Sequence, residues 1–96
     1  MNKKSAEHAA ETLKTIAHPV RLQIVELLQA GEMCVGDIVK ALTSKQAMTS
    51  QQLNMMKDKG VLSCRHEGTR VYYHIANGNV IRLLHCFDDY RKRKRG

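Results

Sequence analysis

The chain has 96 residues, 43% of them hydrophobic, and carries 16 Lys and Arg against 9 Asp and Glu for a formal net charge of +7. That length holds one domain rather than two, and the composition is that of a globular chain, which excludes wholesale disorder. There is no run of about 18 apolar residues to cross a membrane, no apolar signal-peptide segment in the polar, Ala-rich stretch from Met1 to Glu11, and the three cysteines are too few and too scattered for a secreted disulfide framework.

The expectation is therefore a cytoplasmic protein, small enough that dimerisation would help to stabilise it. The positive charge is concentrated at the end of the chain. Arg91, Lys92, Arg93, Lys94 and Arg95 form a basic tail over residues 91–96, leaving 11 basic against 9 acidic residues in the body formed by residues 1–90. Such a tail can touch phosphates or act as a solvated run, so charge alone does not decide for nucleic acid.

The first helix is expected over Ser5 to Ala17, where Ala6, Ala9, Ala10, Leu13, Ile16 and Ala17 recur at helical spacing. The second begins at Pro19, which suits a first helical position, and ends at Gly31. Its Val20, Leu22, Ile24, Val25, Leu27 and Leu28 cover most of the circumference, as in a central core helix. A short third helix spans Val35 to Leu42, and Thr43 or Ser44 is expected to cap the helix that follows.

That fourth helix is read from Lys45 to Lys59, with Gly60 as its stop. At about 100° per residue, Met48, Thr49, Leu53, Met55 and Met56 share one arc. Gln46, Ala47, Ser50, Gln51, Asn54 and Lys57 share the other, which is small, polar and mostly uncharged. Val61 to His66 and Arg70 to Ile75 read as two strands turning at Glu67-Gly68-Thr69. A last helix from Asn79 to Lys92 places Val80, Leu83, Leu84 and Phe87 on one side.

Five helices and one hairpin in this order make a mainly α domain with the winged helix-turn-helix pattern, in which the second helix of the pair enters the major groove. Lys45, Gln46, Ala47, Ser50, Gln51 and Asn54 then face DNA: Gln and Asn can pair with adenine, Ser is an adaptable donor and acceptor, and Ala can meet the thymine methyl. Lys57, Arg65 and Arg70 suit phosphates. The chain has no nucleophile motif, no glycine-rich phosphate loop and no HExxH, which argues against an enzyme.

Leu13-Lys14-Thr15-Ile16-Ala17-His18-Pro19-Val20-Arg21-Leu22-Gln23-Ile24 resembles the "LKALAHPTRLRIL" opening of the arsenic-repressor (ArsR/SmtB) family. Gly31-Glu32-Met33-Cys34-Val35-Gly36-Asp37-Ile38 is similar to its "GELCVCDL". Ser50-Gln51-Gln52-Leu53 resembles "S-x-H-L", and Gly60-Val61-Leu62 with Glu67-Gly68-Thr69-Arg70-Val71-Tyr72-Tyr73 resembles "GLV…REGRxVYY". The resemblance implies a homodimer joined through the first and last helices, and a repressor of double-stranded operator DNA relieved by an inducer. Lys45 stands where the family has Ser, and Gln52 where it has His.

The inducer pattern departs from the family's known types. Cys34 matches the first residue of the Cys-x-Cys pair that holds thiophilic metals and metalloids, but Gly36 replaces the second. Asn77 and Asn79 replace the zinc-binding Asp-x-His, while Tyr90 and Arg93 stand where the His-x-x-His pair would be. Cys34 and Cys86 are the candidate sensing thiols, although neither aligns with the cysteine pair of the relatives that sense sulfide or oxidants. His85, Cys86, Asp88 and Asp89 fall close together on the last helix, as a metal cluster or as a salt-bridged surface. Cys64, Met55 and Met56 read as packing residues, and His8, His18, His66 and His74 as surface or structural ones. The alternatives are an inducer-independent repressor and a winged-helix module that binds protein instead of an operator.

Overall fold

The computed structural model describes residues 1–95, without the side chains of Lys94 and Arg95. Its elements in chain order are α1 (Lys3–Ile16), α2 (Pro19–Leu28), β1 (Met33–Cys34), α3 (Val35–Leu42), α4 (Gln46–Asp58), β2 (Leu62–Glu67), β3 (Arg70–Ile75) and α5 (Gly78–Arg95). Of the expected basic tail, residues 91–95 continue α5, and Gly96 lies outside the described residues.

Local chemistry sets the helix ends. Asn2 Oδ1 accepts from the Ser5 amide at 2.7 Å and caps α1. His18 Nδ1 accepts from the Val20 amide at 3.2 Å, giving α2 a side-chain cap beside its first-turn proline. The Asn77 side chain accepts from the Asn79 amide at 3.0 Å where α5 begins, so both asparagines act at a helix start.

The cap expected from Thr43 or Ser44 is not formed. Lys45 is the N-cap residue of α4 and makes no side-chain cap bond. Thr43 instead turns the chain in the left-handed region at φ 50°, and the Ser44 hydroxyl pairs with the buried Thr49 hydroxyl at 2.6 Å.

A third strand accompanies the hairpin. The sheet order is β1-β3-β2, antiparallel throughout. Met33 faces Tyr73 and Cys34 faces Tyr72, so the segment leading into α3 is held against the wing. Glu67 faces Arg70, which leaves a two-residue turn with Gly68 at φ 61°, the positive angle that such hairpin turns require.

The core runs through Ile16, Ile24, Val25, Leu28, Ile38, Leu53, Met56, Val61, Leu62, Tyr73, Val80 and Leu84. Thus α2 is the central helix, as its apolar pattern implies. One expectation needs correction. Met48 is exposed rather than on the inner arc of α4. Most of the apolar stripe of α1, including Leu13, lies open at the surface of the single chain, where contact with another helix would cover it. Phe87 and Tyr90 of α5 are also exposed, at 58% and 55%. Among the described residues no helix is long and apolar enough to cross a membrane.

Candidate nucleic-acid interface

Thr49, Leu53 and Met56 are wholly buried and fix one side of α4 to the core. The helical period then turns Gln46, Ala47, Gln51 and Asn54 outward, all exposed, with Lys45 and Lys57 exposed near the two ends. Ser50 is half-buried. It shares with Gln46 a cleft of about 430 Å³ that is also lined by Cys34, Asp37, Lys40, Thr69 and Arg70. One open surface therefore joins the start of α3, the first turns of α4 and the tip of the wing.

Asn54 is not free on both sides. The Tyr73 hydroxyl of β3 donates to Asn54 Oδ1 at 3.1 Å, and burial pushes the Tyr73 phenol pKa above its ordinary value of 10.0, helped by Cys64 and Asp58.

The two wing arginines are in different states. Arg65 lies against protein carboxylates: its Nε donates to Glu32 at 2.9 Å and 3.1 Å, and its terminal nitrogens reach Glu32 at 2.5 Å and Glu67 at 2.7 Å. Its guanidinium also stacks 4.5 Å from the centre of the Tyr72 ring. The hydrogen bond from Arg65 holds the Glu32 carboxyl below its ordinary pKa, and the two carboxylates raise that of Arg65. Arg70 is exposed at the wing tip; a hydrogen bond with Tyr72 raises its pKa, and Cys34 and Asp37 lie within its electrostatic reach.

All three cysteines are free. Cys34 is half-buried in the cleft beside α4, whereas Cys86 is exposed on α5 beside Leu83, Phe87 and Tyr90. The two candidate thiols line different clefts among the described residues. Among the described residues no group of three or more His, Cys, Asp and Glu could hold a metal ion. Asp88 pairs with Arg91 on α5, so the reading of this region as a salt-bridged surface fits the geometry.

Sequence reasoning missed Glu32 and Tyr73, which hold the site residues Arg65 and Asn54, and Arg21, which holds Gln52 beside Gln51. Tyr73 carried a signal, since strand alternation on β3 turns it toward α4. Arg21 and Glu32 carried none, because their partners Gln52 and Arg65 lie 31 and 33 residues away.

Residues 18–63, from the cap of α2 into β2, match the family described as bacterial regulatory protein, arsR family. The biofilm growth-associated repressor of Agrobacterium fabrum is 36% identical over 84% of this chain and 69% of its own. The chain belongs to the arsR family. This arsR-family protein also superposes on solved structures. HlyU from Vibrio cholerae matches with a TM-score of 0.81 and 34% identity, covering 91% of this chain and 97% of that one. The homodimeric winged helix-turn-helix DNA-binding domain of Mb0332 from Mycobacterium bovis matches with a TM-score of 0.83 and 32% identity, over 98% and 90% of the two chains. The arsR-family protein is thus a winged helix-turn-helix transcriptional regulator, and its family is not one of enzymes.

Proposed function

We propose that this regulator is a homodimer that binds double-stranded DNA in a sequence-specific manner and represses transcription from the site it occupies, with α4 as the reading helix. The observation that carries this reading is the outer face of α4. Gln46, Ala47, Gln51 and Asn54 are exposed on it, no carboxylate occurs between Lys45 and Lys57, and the opposite face is buried. Amide side chains between flanking cations suit base edges between phosphates. Arg70 and Lys40 extend the positive surface along the cleft.

The dimer reading rests on Leu13 of α1 and on Phe87 and Tyr90 of α5, large side chains exposed in a single chain, and on the homodimeric state of the Mycobacterium bovis domain. A twofold dimer would present two copies of α4 to successive major grooves about 34 Å apart. Binding to DNA agrees with a cytoplasmic location.

Release by a thiol-reactive inducer at Cys34 completes the proposal. An adduct there would occupy the cleft shared with Gln46, Ser50 and Arg70 and exclude DNA from it. Within one chain, the described residues give a metal no cluster of ligands around Cys34, which favours covalent chemistry over a bound thiophilic metal. Cys86, on the face assigned to the dimer partner, is the less accessible thiol in this reading.

The test is a footprint of the reduced protein on its own upstream DNA, repeated with a persulfide donor, arsenite and zinc, and in Cys34→Ser. The expected result is two protected segments centred about one helical turn apart, lost with the persulfide donor only when Cys34 is present. Protection that no agent removes would leave an inducer-independent repressor, and the absence of protection would favour a protein-binding module.

A further inference from the structure

Arg21 occupies an unfavourable place for a cation. It lies in the first turn of α2, where the helix dipole opposes positive charge. Its partners explain the position. Arg21 Nε donates to Gln52 Oε1 of α4 at 2.8 Å, and its Nη1 donates to the backbone carbonyl of Thr15 at 3.3 Å. Thr15 is in the last turn of α1, where carbonyls lack helical partners and the dipole is negative. One half-buried guanidinium thus satisfies the end of α1 and grips the middle of α4.

We propose that Arg21 is a positioning residue for DNA reading, holding the rotation of α4 about its own axis through Gln52. The proposal rests on the assignment of α4 as the reading helix. Gln52 is next to Gln51 and two residues from Ser50, so a fixed Gln52 fixes the direction of both. With side chains included, a helix has a radius of about 5–6 Å, so a roll of about 10° displaces a side-chain tip by about 1 Å. Hydrogen bonds span only about 2.7–3.2 Å, so that displacement is enough to break a base contact. A second bridge, Lys59 Nζ to Glu11 at 3.0 Å, joins the end of α4 to α1 but is solvent-exposed and correspondingly weak. Gln52, where the family pattern has His, supplies the acceptor that this arginine uses.

The experiment compares Arg21→Met, Gln52→Met and the double variant. Each is titrated against the protein's upstream duplex and a scrambled duplex over a salt series, beside a Ser50→Ala/Gln51→Ala control. Each single variant is expected to lose preference for the native duplex by about tenfold, the scale of a hydrogen bond to a charged group. The double variant should lose no more than either single one, and the salt dependence should not change. Arg21→Lys retains the charge but not the rigid fork; it should show the same loss, and it carries the test if the methionine variant fails to fold. Additive losses would overturn the proposal. So would an Arg21→Met variant that only flattens the salt dependence, because Arg21 would then be a phosphate contact. Full preference retained by the Ser50→Ala/Gln51→Ala control would overturn the assignment of α4 itself, and the positioning role with it.

Discussion

The Tyr73 hydroxyl donates a 3.1 Å hydrogen bond to Asn54 Oδ1, and so fastens the central strand of the wing sheet to the exposed side of α4. The sequence suggests a bidentate contact between Asn54 and adenine. With its carbonyl oxygen already engaged by Tyr73, Asn54 offers DNA mainly its amide donors. Tyr73→Phe is expected to lower stability by about 1 kcal/mol and to weaken specific binding. Because Tyr73 would act through Asn54, Tyr73→Phe combined with Asn54→Ala should be non-additive in operator affinity. Additive losses would show that the two residues serve DNA binding separately.

Arg65 and Arg70 should separate in a salt titration. Arg70 is exposed at the wing tip, whereas Arg65 is held by Glu32 and Glu67. Arg70→Ala is expected to reduce the salt slope of binding by about one phosphate contact. Arg65→Ala should leave the slope unchanged while loosening the wing. Equal slope changes in both variants would mean that Arg65 leaves its carboxylates for DNA.

The Glu32–Arg65 contact also predicts a pH dependence. The hydrogen bond from Arg65 holds the folded-state pKa of Glu32 below its ordinary 4.5, so the unfolded chain binds this proton more readily. The stabilisation is therefore present above the ordinary pKa and is lost as pH falls through the lower folded value. Thermal unfolding of Glu32→Gln and the parent should differ at neutral pH and converge in acid. A difference that grows in acid would contradict the assigned direction.

Leu53, wholly buried beneath the reading face, links core packing to the same surface. Leu53→Ala is expected to cost about 2–5 kcal/mol of stability, measured by denaturant unfolding. A cost near zero would mean that α4 is not seated on the core by this residue.

The helices were legible because each carries apolar residues at helical spacing, and α3 and β3 occupy the residues that their patterns indicate. The strand β1 was not, since Met33 and Cys34 are too few to show alternation and become a strand only by pairing with Tyr73 and Tyr72. Met48 has the residue type of a core position but lies at the exposed edge of its arc, which hydrophobicity alone does not reveal. The outer face of α4 could be read from helical spacing. The residues that hold the surface in shape could not, because the Arg21–Gln52, Glu32–Arg65 and Asn54–Tyr73 contacts all join distant parts of the chain.

Whether the face of α4 reads DNA sequence is decided by titrating the reduced protein against its own upstream duplex and a scrambled duplex at one fixed salt concentration, with Ser50→Ala/Gln51→Ala alongside. The parent should show a marked preference for the native duplex, reduced by about 1–3 kcal/mol for each base that the variant can no longer reach. Equal affinity of the parent for both duplexes, or a preference that the variant keeps in full, would mean that the face of α4 does not read the sequence.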